Sequence, residues 1–397
     1  MFNLPKNIYL MSLVSSLCLA TSSLMVLVSG LLGSSMAPSA ELATLPMATL
    51  IISTALSTVP AAMIMRKIGR KFGYLTSIFI AFCGAVCALI STLQANFWLL
   101  IFATLCFGFN LAFTQQGRFI IIENAENQKQ QADGLTLALL ASLLGGLIGP
   151  QFGSIGKDLI NSPHGYAGSF LLLAVILVIA FTVMCLYQEK IFPEDSKEIP
   201  ERSVFNIIKQ PGFIIAAGTA ATGYAVMSLI MTATPISMVE MNGLSLNEAT
   251  VVIQSHIVAM FLPSIVTGKL LNKGLRLSLI FAGLICYLIV IVVAFSGHQI
   301  MHFWWALVLL GLGWNLLFIT STALLPETYH IDERFKAQAV NEFGVFTFQA
   351  VAAFSAGWIL FNYHWQGVLK TALSMTVFWL ICVMLLKHRA TQKAAAA

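Results

Sequence analysis

The sequence predicts an all-helical integral membrane protein of 12 spans in two six-helix bundles. Three observations lead there. Hydrophobic residues make up 58% of the 397 positions and charged residues 9%, against roughly 25% charged in soluble domains. The apolar runs are long and continuous, without the polar alternation of a barrel strand, and in lipid only helices or closed barrels satisfy every backbone polar group. Finally, a polar strap, Gln188 to Gln210, divides the chain almost at its middle and holds nine of the 37 charged residues (21 basic plus 16 acidic).

The first apolar run, 8–34, follows a single Lys6 and exceeds the apolar region of a signal peptide, so it is read as a span. Further spans are expected at 44–65, 73–93, 97–119, 134–155 and 167–187. After the strap the plan repeats at 211–236, 248–271, 277–296, 302–325, 339–361 and 367–386. The domain plan is therefore 1–187, a linker 188–210, and 211–397 with a short tail.

Charge placement supports this plan. With alternate loops on opposite sides and the N-terminus in the cytosol, all of the 21 Lys and Arg except Lys157 and Lys370 fall on or near the cytosolic side. That asymmetry is the positive-inside pattern, and it puts both termini and the strap in the cytosol. Trp98, Tyr166, Trp304, Trp305, Tyr363 and Trp365 lie near the expected outer ends, as an interfacial aromatic belt should. The net charge of +5 is spread over short loops, which gives no nucleic-acid surface. The seven cysteines sit inside apolar runs without metal-ligand or disulfide spacing, so neither a metal nor a cofactor is expected.

The halves resemble each other. Gly108-Phe-Asn110-Leu-Ala-Phe113 in the fourth span matches Gly313-Trp-Asn315-Leu-Leu-Phe318 in the tenth, and Ala62 to Lys67 has a counterpart in Gly268 to Lys273. Internal duplication around a central site is a pattern of secondary transporters.

Between the second and third spans runs Arg66-Lys67-Ile-Gly69-Arg70-Lys71-Phe-Gly73, a tight basic turn. It resembles the Asp-Arg-x-Gly-Arg-Arg/Lys signature of the major facilitator superfamily, in the loop where that family carries it. The six-plus-six plan, the strap and a degenerate second copy near Asn272-Lys273-Gly274 extend the resemblance over the whole chain. Arg66 stands where the family has Asp, and Ala62 where it has Gly. In the family that Asp sits near the start of the eleventh helix, so the resemblance suggests a charge-swapped latch between Arg66 and Glu342, with a purely topogenic Arg66 as the alternative. The fifth span carries Gly145-Gly-Leu-Ile-Gly149-Pro150-Gln151-Phe-Gly153, similar to the later part of the family's antiporter motif; close helix packing without direction is the other reading.

Ionisable residues within spans are costly and point to function. His256 lies eight residues after Glu248, about 12 Å into its helix, and it is a candidate proton carrier or a neutral core histidine. Glu342 is the rival carrier. Arg118 can pair with Glu342, bind an anion, or extend to the interface. Asn110, Gln115, Gln116, Gln151, Gln254, Trp314, Asn315 and Gln349 are candidates for lining a substrate cavity, where uncharged amides and an indole orient an amphipathic molecule.

The expected function is secondary transport of a small organic solute by alternating access. Proton coupling follows from the resemblance, and efflux is slightly favoured over uptake of a nutrient such as a vitamin or siderophore. The expected setting is a monomer in the lipid bilayer of a bacterial inner membrane, with protons and a small molecule as partners and no nucleic acid. The sequence holds no catalytic constellation and no nucleotide-binding loop, so it does not read as an enzyme. A transporter-like membrane sensor is the alternative from another class, although the tails and strap are short for a signalling domain.

Overall fold

A computed structural model of the chain describes residues 4–189, 203–329 and 333–396. Before the strap run α1 (Lys6–Met36), α2 (Leu45–Ile68), α3 (Arg70–Gln94), α4 (Phe97–Gln115), α5 (Gly117–Asn124), α6 (Gln128–Gly156) and α7 (Ala167–Cys185). From the end of the strap onward run α8 (Val204–Ile208), α9 (Pro211–Pro235), α10 (Leu246–Phe261), α11 (Ser264–Asn272), α12 (Arg276–Phe295), α13 (Ile300–Leu324) and α14 (Arg334–Ala396). Most of the strap lies outside the described residues.

Eleven segments among the described residues are long and apolar enough to cross a membrane. The last, Lys336–Lys387, has 52 residues, about 78 Å if straight, against a hydrocarbon core of about 30 Å. It is interrupted at His364 (φ 56°, ψ −173°), between the eleventh and twelfth expected spans, and has room for both.

Two expected spans are broken. The fourth, expected over 97–119, ends at Gln115, turns at Gln116, and restarts as α5. Tyr74 Oη donates to the Thr114 carbonyl at 3.0 Å, taking over a helix-end acceptor. The eighth, expected over 248–271, stops at Phe261 and restarts at Ser264. Pro263 explains this break, because it has no N–H to continue the ladder. Pro235 similarly precedes a six-residue π turn, Ile236–Met241. Helix starts follow local chemistry: Asn96 and Asn127 accept from the amides of Leu99 and Gln130. Ser245 and Glu248 form a reciprocal capping box at α10.

The chain divides into two compact units, Met1–Glu194 with Pro235–Ile257, and Asp195–Thr234 with Val258–Ala397. In the first, small residues and hydroxyls join the helices. Lipid offers no hydrophobic drive between helices, so close approach and hydrogen bonds do the joining. Thr49 and Thr104 hydroxyls meet at 2.6 Å, Ser53 Oγ donates to the Leu105 carbonyl at 2.7 Å, and Thr54 Oγ1 donates to the Gly108 carbonyl at 3.1 Å. A Cβ at Gly108 would stand 2.2 Å from the Leu50 carbonyl oxygen, so the α2–α4 seam requires glycine there.

In the second unit α12 and α13 meet glycine to glycine. A Cβ on either Gly283 or Gly313 would lie 3.1 Å from the other's carbonyl oxygen. Tyr287 Oη donates to the Gly223 carbonyl at 2.7 Å, and Trp379 Nε1 donates to Thr219 Oγ1 at 3.1 Å, binding α12 and α14 to α9. The repeated Gly-x-Asn motif thus packs helices in both units but with partners exchanged. Gly108 meets α2 while Asn110 reaches Ser77 of α3; Gly313 meets α12 while Asn315 reaches α10 and α11.

Candidate functional site

Of the expected cavity residues, the two asparagines bond to neighbouring helices. Asn110 is buried and its Nδ2 donates to Ser77 Oγ at 3.2 Å. Asn315, fully buried, accepts from Thr267 Oγ1 at 2.7 Å and donates to the Met260 carbonyl at 2.6 Å and to Ser264 Oγ at 2.8 Å. Met260 is one residue from the end of α10, so its carbonyl is among those a helix end leaves without an intrahelical donor. Asn315 thereby holds the break at Pro263.

Gln254 Nε2 donates to the Leu147 carbonyl at 2.9 Å and approaches Gln151 Oε1 at 3.4 Å. Ser154 Oγ donates to Asn247 Oδ1 at 2.5 Å along the same side of α6. Gln115 and Gln116 sit at the α4–α5 break. His256 is fully buried in α10. Glu342 and Arg118 are half-buried.

The Gly-Pro stretch of the fifth span is a contact with α1. Cβ atoms at Gly145 and Gly149 would stand 1.9 Å from the Ser16 carbonyl oxygen and 2.1 Å from Ser23 Oγ, and one at Gly153 would meet Leu27 and Val28. Ser23 Oγ donates to the Gly145 carbonyl at 3.1 Å, and Gly145 N donates to Ser16 Oγ at 3.1 Å. Pro150 stays within α6.

In the basic loop, Gly69 takes φ 89°, a left-handed value that glycine adopts freely. The Arg70 amide, at the first position of α3, donates to the Glu189 carboxylate, and Lys71 Nζ donates to the Cys185 carbonyl at 2.7 Å. A carboxylate at a helix N-terminus is favoured by the dipole. Sequence reasoning missed Glu189; the available signal was an acidic residue directly after the sixth span, on the side assigned to the basic loop. Lys67 is exposed. The Arg66 side chain, and with it the expected latch, falls outside the described residues.

Sequence reasoning also missed an aromatic cluster in the second unit. Trp314 and Phe318, one turn apart on α13, stack at 4.7 Å with 16° between planes. Tyr224 of α9 meets both edge-on, at 5.2 and 5.4 Å, and stands 6.1 Å from Phe346 of α14. Phe261 flanks Trp314 at 6.3 Å. Trp314 and Gln349 are 4% and 8% exposed. Among the described residues neither Trp314 Nε1 nor Gln349 Oε1 has a hydrogen-bond partner.

A family model described as Major Facilitator Superfamily matches residues 10–341 and 218–396. The chain belongs to the major facilitator superfamily. It is a multi-pass membrane transporter of that superfamily, not an enzyme. Among superfamily relatives, it is 31% identical over 365 residues, 91% of each chain, to a protein named riboflavin transporter RfnT from Brucella anthropi. An uncharacterized MFS-type transporter, YddS of Bacillus subtilis, is 28% identical over 79% of this chain and 75% of its own. In fold, the chain is similar to a bacterial homolog of the human lysosomal transporter Spinster in an inward-facing, occupied conformation, with a TM-score of 0.73, 14% identity, and coverage of 97% and 96%.

Proposed function

We propose that this protein imports riboflavin or a closely related planar heterocycle across a bacterial inner membrane, coupled to protons. The observation that carries the reading is the 31% identity to a riboflavin transporter over nine-tenths of both chains. The chemistry agrees with it: the candidate polar residues are mostly neutral amides and an indole, suited to a neutral amphipathic solute rather than an ion. The fifth-span Gly-Pro stretch, the sequence's argument for export, packs on α1, and close helix packing is reason enough for its glycines.

In this reading two six-helix halves, 1–187 and 211–397, alternate access as a monomer, with both termini and the 188–210 strap in the cytosol. His256 carries the coupling proton, Glu342 being the next candidate. Arg66, Lys67, Arg70, Lys71 and Arg118 serve the cytosolic side.

The test uses right-side-out proteoliposomes with a pH-sensitive dye inside. Riboflavin added outside should bring protons inward in wild type and not in His256→Ala. Proton exit on riboflavin addition would establish antiport instead. Absence of any riboflavin-dependent flux would refute the substrate.

A further inference from the structure

We propose that Tyr224, Trp314, Phe318, Phe346 and Gln349, all within the second unit, form a binding site for a planar fused-ring heterocycle that carries an amide or imide edge. The choice of riboflavin as probe rests on the function proposed above; the site itself rests on geometry.

Three elements supply the walls. Trp314 and Phe318, four apart on one face of α13, stack on each other, so the pair offers a platform only on its outer side, at the half-buried Phe318. Tyr224 from α9 turns its edge to both rings, and Phe346 from α14 stands against Tyr224. Gln349 is three residues beyond Phe346 and shares its face. Tyr224, Phe261 and Phe318 are only half-buried, so part of this aromatic surface is left open for stacking.

The buried polar atoms point the same way, since a buried orphan costs about 1–3 kcal/mol. Here the Trp314 indole N–H is an orphan donor and the Gln349 side-chain oxygen an orphan acceptor, both more than nine-tenths buried. One donor and one acceptor beside an aromatic platform complement a flat ring that offers a carbonyl and an N–H. A lactam, an imide or the pyrimidine-dione edge of an isoalloxazine offers both. Aliphatic solutes gain nothing from the platform, and sugars do not supply the flat face.

The experiment is equilibrium binding to the purified full-length protein in lipid nanodiscs, read from ligand fluorescence, for riboflavin and for lumichrome, the alloxazine that lacks the ribityl chain and keeps the dione edge. Trp314→Phe keeps an aromatic and removes the donor, Gln349→Leu removes the acceptor, and Phe318→Leu removes the outer ring of the stack. Each should weaken both probes by roughly threefold to tenfold or more. Gln349→Leu, close to isosteric, should also unfold at or above the wild-type temperature without ligand, because it removes an orphan acceptor; a merely structural role would lower it. Wild-type affinity in all three variants overturns the site and leaves the riboflavin reading standing. Wild-type binding of lumichrome but not riboflavin, still weakened by the variants, supports the site and overturns riboflavin as substrate. Binding of neither probe overturns both.

Discussion

Gly149→Ala tests how α1 and α6 are held together. The new Cβ would meet Ser23 Oγ at 2.1 Å, Leu24 N at 2.5 Å and the Ala20 carbonyl oxygen at 2.6 Å. An ordinary contact needs at least about 3.4 Å, so the shortfall is about 1 Å, and two of the three atoms are backbone that no rotamer change can remove. The helices must part. Parting also stretches the Ser23 Oγ to Gly145 carbonyl bond, now 3.1 Å. Overpacking costs about 1–3 kcal/mol, and an interhelical hydrogen bond in a membrane protein about 0.6 kcal/mol, for a total of roughly 2–4 kcal/mol. Gly268→Ala is the matched control: nothing lies within 4 Å of its Cβ, and alanine gains up to about 1 kcal/mol in helix propensity. Thermal unfolding in mild detergent should therefore fall by several degrees for Gly149→Ala and hold or rise for Gly268→Ala. Adding Ser23→Ala should rescue only partly, since the backbone atoms remain. Equal unfolding temperatures for Gly149→Ala and wild type would refute the seam.

Other outcomes follow from single contacts. Asn315→Leu should destabilise by about 1–3 kcal/mol in the same assay, because it strands the Met260 carbonyl and the Ser264 hydroxyl, while Thr267 keeps its bond to the Pro263 carbonyl; Asn110→Leu, which breaks one bond, should cost less. Gly69→Ala should lower stability, as it strains a φ of 89° and puts a Cβ 2.6 Å from the Glu189 carboxylate. Glu189→Gln should cost a smaller amount, about 0.5–1 kcal/mol, through the lost charge at the start of α3. Breaking the exposed Arg276–Glu327 pair with Glu327→Gln should change unfolding by less than about 1 kcal/mol.

Composition and run length sufficed for the membrane class, because burial in lipid constrains every residue of a span. Pro263 was visible as well, but a proline inside an apolar run is compatible with a kink or a full break. Only the partners on α13 show which one occurs. The Gly-x-Asn repeat was legible as duplication, yet the exchange of partners was not: an asparagine on an apolar helix does not reveal which neighbour it faces. Glu189 lies 119 residues from the amide it accepts from, a separation no local pattern spans. The aromatic cluster was hidden among 28 phenylalanines in which an aromatic is ordinary. The spacing of Trp314 and Phe318 was its one local trace.

Entrance counterflow is the most direct test of the central claim, that this superfamily member carries a riboflavin-like ring. Proteoliposomes preloaded with unlabelled riboflavin should transiently concentrate labelled riboflavin without any ion gradient, and external lumichrome should compete. Labelled riboflavin that never exceeds its equilibrium level, in vesicles where the protein is folded and correctly inserted, would contradict the account.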